Sequence, residues 1–126
     1  MIFIQKRALL SALHGAKEMH PDEFIALFRG EDQPDGSILL TELIIPPLAT
    51  GDEESSSFNP YFIPANSSEK ASFHSHPDPG TAYPSDTDLH YFNREGGHHF
   101  IAAPPFRIQD TNCYDASGKK VAFKVV

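Results

Sequence analysis

Cysteine is almost missing from this chain of 126 residues. Cys113 stands alone, so no intrachain disulfide can form, and a structural zinc site built on several thiolates is excluded too. Its expected place is that of a small buried hydrophobe. Basic residues are also few: 10 lysines and arginines face 17 acids, for a net charge of -7, with no basic run. The electrostatic footprint of nucleic-acid binding is therefore absent. Such an acidic surface suits basic protein segments, though charge of this kind more commonly serves only solubility. Long apolar runs are missing as well. Gln5, Lys6 and Arg7 interrupt the apolar stretch at 1–13, which breaks any signal-peptide core, and no segment approaches the length of a membrane span. These absences lead us to expect a soluble, cytoplasmic protein with neither nucleic acid nor membrane as partner. No internal repeat and no linker is evident, and 40% of residues are apolar. One domain with a single packed core, spanning residues 1–126, is expected.

What is present is concentrated at His74-Ser75-His76-Pro77 and, further on, Ser85-Asp86-Thr87-Asp88. Two histidines two apart on an extended segment point to the same side, because side chains alternate across a strand. Their imidazoles can then reach one metal ion, and Asp88, eleven residues beyond Pro77, can complete the set. Two nitrogens and one carboxylate leave a tetrahedral zinc with one open position, the arrangement of a catalytic site. Ser85 with an acid three residues on also reads as a helix N-cap, and that role is compatible with a hydroxyl presented to the site.

The pass along the chain predicts a mixed α/β domain. Residues 5–19 carry a helical apolar stripe (Ala8, Leu9, Ala12, Leu13, Ala16), ended by His20-Pro21. Residues 23–28 read as a buried strand, 30–36 as a turn, and 37–45 as a second strand closed by Pro46-Pro47. An acidic, serine-rich loop at 49–57 and an edge strand at 58–63 follow, then a turn at 65–70. We expect the flank at 49–63 to contact substrate. The histidine-bearing strand is placed at 71–76, a helix at 85–95 ended by Gly96-Gly97, and a strand at 98–103. Residues 112–115 and 121–126 are expected to form a terminal hairpin. The order suggests a curved sheet between two helical elements.

Two acids need separate treatment. On the residues alone, Glu23 reads as the exposed end of its strand, since glutamate is rarely buried without a partner. A zinc-bound water would nevertheless need a base, and later an acid for the leaving amine. Asp78 makes a His-x-His-x-Asp sequence like that of metallo-β-lactamase-type hydrolases, but Pro79 stands where that motif has histidine. Pro77 and Pro79 also turn Asp78 out of the strand register. The remaining histidines, His14, His20, His90, His98 and His99, have no ligand spacing and read as surface or packing residues.

Taken together, Glu23 on its strand, His74-Ser75-His76-Pro77 and Ser85-x-x-Asp88 resemble the JAMM motif of catalytic MPN domains, over nearly the whole chain. The likeness is strongest to the small, free-standing archaeal and bacterial members. The resemblance implies an MPN-like domain with a curved mixed sheet flanked by helices, of cytidine-deaminase-like architecture. It implies one zinc per chain on His74, His76 and Asp88, with Glu23 as general acid/base and Ser85 as oxyanion stabiliser. It also implies a zinc-dependent isopeptidase that cuts a ubiquitin-like protein from a lysine amine. The regions where larger deubiquitinases carry substrate-clamping insertions, 49–70 and 104–111, are short here. A ubiquitin-like protein ending in Gly-Gly is therefore the expected substrate class, its tail added beside an edge strand. Two alternatives stand beside it: a hydrolase freeing an amino acid such as cysteine from the end of a sulfur-carrier protein, and a non-catalytic MPN scaffold.

Overall fold

The computed structural model describes residues 1–45 and 69–126. The expected loop at 49–57, the edge strand at 58–63, and the first part of the turn at 65–70 lie outside the described residues, as does the expected substrate-contacting flank.

The chain opens with a short strand, β1 (Ile2–Ile4), and enters helix α1 (Lys6–Met19). Strands β2 (Ile25–Asp32) and β3 (Ile38–Ile44) follow, then β4 (Glu69–Ser75), helix α2 (Asp86–Glu95) and β5 (His98–Ala102). A 3-10 turn at Ile108–Asp110 leads into β6 (Thr111–Tyr114), β7 (Lys120–Val121) and β8 (Phe123–Val125). Among the described residues, eight strands join one mixed sheet in the order β7-β6-β5-β4-β2-β3-β1-β8. The first and last of that order are separated in sequence by Ala122 alone. Successive Cα atoms lie about 3.8 Å apart, so the two edges can be this close only if the sheet curls round on itself. Phe100 of β5 and Phe123 of β8 meet inside the curl, with ring centroids 5.1 Å apart. The curved mixed sheet expected from the sequence is thus a near-barrel.

The alternation of side chains divides this sheet between two helices. Ala71 and Phe73 of β4, Ala26 and Phe28 of β2, and Phe100 and Ala102 of β5 face one core, into which α1 presses Ala8, Leu9, Ala12, Leu13 and Ala16. Phe28 is the centre of an edge-to-face aromatic chain, 6.0 Å from Phe73 and 5.4 Å from Phe100. The opposite face of β4 to β6 receives α2, whose Phe92 packs with Ile101 and Tyr114. His74 belongs to this second face. The metal-ligand candidates thus sit between sheet and α2, while the large apolar core lies on the other side of the same strands.

Gly15, inside α1, serves this arrangement by its lack of a side chain. A Cβ there would lie 2.6 Å from the Phe24 ring. Glycine costs about 1 kcal/mol in a helix interior relative to alanine, and here it lets Phe24, the residue after Glu23, seat directly on the helix.

Three expectations need correction. β1 was not anticipated: its partners are Ile38 to Leu40 and Phe123 to Val125, both parallel, and parallel pairing to distant segments leaves no local signature in three residues. β2 runs on to Asp32 instead of turning at Gly30. A bulge lies between Arg29 and Gly30, and a side chain at Gly30 would collide with the Leu39 carbonyl oxygen, so this glycine marks close approach of strands and not a turn. The terminal hairpin is real only as far as Val121, which pairs with Cys113. Beyond it, Phe123 to Val125 cross to β1 at the other edge. Among the described residues, no helix is long and apolar enough to cross a membrane.

Candidate metal centre

His74 lies next to the end of β4 and His76 just past it, both held by their neighbours' backbones. The β4–β5 pairing sets His74 beside Ile101, and the His76 N–H donates to the Ala102 carbonyl at 2.9 Å. Side-chain alternation turns both imidazoles to the α2 face, with ring centroids 5.0 Å apart. Asp88 reaches them from the first turn of α2. The helix starts on a capping box: Ser85 Oγ accepts from the Asp88 N–H at 3.1 Å, and the Ser85 N–H donates to Asp88 Oδ2 at 2.9 Å. One sequence feature, Ser-x-x-Asp, therefore both begins the helix and aims its carboxylate at the histidines.

The three side chains converge. His74 Nε2 lies 3.2 Å from Asp88 Oδ1, and His76 Nε2 lies 3.1 Å from Oδ2. Among the described residues these three are the group whose donor atoms could hold a metal ion, all within 4.8 Å of one another. His74 and Asp88 are buried, at 5% and 6% exposure. His74 Nε2 is buried without a hydrogen-bond partner, close as it is to the carboxylate. Leaving a buried nitrogen lone pair or N–H unsatisfied is costly, and a cation shared by these donors removes that cost. Donors on one tetrahedral zinc, each about 2.0–2.1 Å from it, lie about 3.3 Å apart. The observed spacings are of that order, so the residues present fit the ion.

The electrostatics agree. Burial alone would raise the Asp88 pKa, but the imidazoles of His74 and His76 beside it hold the carboxyl well below its ordinary range. At His76 burial opposes protonation, yet the Asp88 carboxylate, the Thr81 carbonyl and the charge of Glu23 together raise its pKa. The ring's orientation is fixed from behind: Nδ1 donates to the Thr81 carbonyl at 2.6 Å, which turns Nε2 to Asp88, where it donates to Oδ2 when protonated and would offer its lone pair to a cation when not.

Glu23 is brought to this place by the strand register. Ile25 pairs with His74 across the antiparallel β2–β4 ladder, and Glu23 lies two residues before Ile25, at the end of the ladder where His76 follows His74. Its carboxylate adds to the charge felt by His76. The position is half-buried and precedes the strand, so Glu23 is neither the exposed end suggested by its residue type nor a fully buried acid. Ser75, unassigned in the sequence reading, is what fixes this register: its Oγ accepts from the Phe24 N–H at 2.8 Å, and its own N–H donates to the Phe24 carbonyl at 3.0 Å. Ser75 is 1% exposed. The serine between the histidines was the available clue.

Other candidates fall away. Asp78 sits exposed in the turn after β4, outside the donor group. His99 is a packing residue: it is buried, stacks on Phe92 at 4.1 Å with rings 5° from parallel, and is bonded to Ser72 and to the Gly96 carbonyl, each at 2.7 Å. Burial lowers its pKa to about 4, so it is neutral at neutral pH. His20 packs edge-to-face on Phe106 and bonds the Pro77 carbonyl at 3.0 Å. Cys113 is fully buried, as its lone occurrence suggested.

Comparison with known proteins decides the family. The model of prokaryotic homologues of the JAB domain matches residues 5–116. The chain belongs to this family. A protein from Haloferax volcanii named as a probable metalloprotease is 33% identical over 125 residues, covering 94% of this chain and 76% of the relative. A JAB1/MPN domain protein from Archaeoglobus fulgidus superposes with a TM-score of 0.74 at 32% identity, covering 100% of this chain and 99% of that one. A structure of JAMM, described as a metalloprotease-like zinc site in the proteasome and signalosome, gives a TM-score of 0.73 at 32% identity over 100% and 98% of the two chains. The prokaryotic JAB fold thus accounts for the near-barrel and its two helices. Family and donor set together make this chain a zinc metalloprotease-type hydrolase.

Proposed function

We propose that this JAB-family protein is an isopeptidase that hydrolyses the bond between the C-terminal glycine of a ubiquitin-like protein and a lysine amine. The observation that carries the chemistry is the convergence of His74, His76 and Asp88, and the charge that Glu23 lends at His76 supports its part in the reading. In this reading His74, His76 and Asp88 hold the zinc, Glu23 is the general acid/base, and Ser85 stabilises the oxyanion. Bound there, zinc would acidify a water so that hydroxide is available near neutral pH, and would supply positive charge to the reacting carbonyl. Glu23 takes the proton of the attacking water and returns it to the departing lysine amine. The Ser85 Oγ already accepts from the Asp88 N–H, so its own O–H is available to donate to the carbonyl oxygen as negative charge develops there. A narrow Gly-Gly tail suits such a site, because glycines admit a close approach to both carboxylate and helix start.

Ser85→Ala tests the double use of that serine. Zinc is retained, the apo protein loses roughly 1 kcal/mol of stability with its helix cap, and kcat falls with little change in KM. An unaltered kcat in the well-folded variant would remove Ser85 from the chemistry. Substrate class is read from a panel of fusions. Small ubiquitin-like proteins joined through a C-terminal glycine to a lysine side chain are compared with the same proteins carrying a C-terminal cysteine. We expect the isopeptide-linked set to be cleaved. Cleavage confined to the cysteine adducts would assign the protein to sulfur-carrier processing, and cleavage of neither by zinc-loaded protein would favour the scaffold role.

A further inference from the structure

We infer that Asn112 and Tyr114, on β6, are positioning residues for His76: they hold the loop whose carbonyl sets that ring. Neither belongs to the donor group, and both side chains bond the Ala82 carbonyl and not the His76 ring. The connection runs through three short links. Asn112 Nδ2 donates to the Ala82 carbonyl at 2.9 Å, and the Tyr114 hydroxyl donates to the same oxygen at 2.7 Å. Ala82 is the centre of a three-residue turn, closed by the Tyr83 N–H on the Thr81 carbonyl at 2.7 Å. That same Thr81 carbonyl accepts from His76 Nδ1 at 2.6 Å. Only the two backbone dihedrals of Ala82 separate the anchored carbonyl from the one that orients the imidazole, so fixing the first fixes the second.

The anchoring matters because the loop is supported on one side only, where Ala82 packs against Phe92, Ile101 and Tyr114. Its other flank borders a cavity of about 220 Å³, lined by Gly80, Ala82, Tyr83, Ala103, Pro104 and Asn112 itself among others. Tyr83 itself is 59% exposed. With this underpacked flank, hydrogen bonds from β6 and the Thr81 Oγ1 bond to the Asp78 carbonyl at 2.6 Å set the loop's position. β6 supplies its two bonds from one face. Asn112 and Tyr114 are two apart and opposite Ile101 and His99, while Cys113 between them points into the other core.

The inference rests on the metal-centre reading for its consequence but not for its first test. In metal-free protein, the hydrogen-bonded His76 Nδ1–H should give a protected, downfield proton resonance. Tyr114→Phe removes only the hydroxyl, and Asn112→Leu removes the amide at nearly equal size. In the double variant that resonance should broaden or vanish through exchange with solvent. Zinc affinity, read by chelator competition, should weaken about tenfold, the lower end of what loss of an orienting partner produces. Cys113→Ala is the control, since it loosens β6 from the opposite face without touching Ala82. It should lower the melting temperature yet leave the His76 resonance and the zinc affinity as they were. If the double variant does not fold, Tyr114→Phe alone carries the same comparison at smaller amplitude. A sharp His76 resonance in folded Tyr114→Phe and double variants overturns the inference, and so does equal weakening of zinc binding by Cys113→Ala. Absence of zinc binding by the unaltered protein would instead count against the metal centre, with the resonance still deciding the role of β6.

Discussion

Alanine at His74 or at His76 abolishes stoichiometric zinc binding and, with it, hydrolysis. Each residue supplies one of three donors, and losing even a partner that merely orients a ligand costs about 10–100-fold in affinity. Losing a ligand should exceed that, so dialysed protein should fall from one zinc per chain to almost none by elemental analysis. Because the metal must displace protons, affinity should also fall on acidification. The raised pKa of His76 brings that competition in at a higher pH than an ordinary imidazole would. The choice of aspartate is tested in the same experiment. Asp88→Ala should lose the ion and Asp78→Ala should keep it, because Asp78 is exposed in its turn whereas Asp88 lies within 3.2 Å of both imidazoles. The opposite result would mean that the structure's donor set is not the one that binds.

Glu23→Gln should leave zinc content and folding intact while hydrolysis falls by about a hundredfold or more, the usual scale for removing a general acid/base. The substitution keeps size and polarity but cannot accept the water's proton. Its effect should appear in kcat, with KM little changed, since the lost interaction operates in the transition state. The end of the β2–β4 ladder beside Glu23 is held by Ser75 and the Phe24 backbone, neither of which the substitution touches. Near-normal turnover of the zinc-loaded variant would show that the base lies elsewhere.

Features with local causes were legible in the residues alone. Strand alternation at His74 and His76 and the Ser85-x-x-Asp88 cap are short-range patterns, and the structure brings those residues together as their spacing implied. The stripe from Ala8 to Ala16 likewise marked α1, and His20-Pro21 marked its end. Tertiary structure decided everything that depends on distant segments. The parallel pairing of β1 with β3 and β8, which closes the near-barrel, is invisible in three apolar residues. Glu23 shows the same division: its residue type pointed to solvent, and the ladder between β2 and β4, closed by Ser75, leaves it half-buried where its charge is felt at His76. Thr81 and Ala82 act through backbone carbonyls, so no side-chain pattern could have marked them. The physical reason is range. Propensity, capping and alternation act within a few residues, whereas register and loop anchoring are settled only when strands far apart in the chain compete for the same hydrogen bonds and the same core.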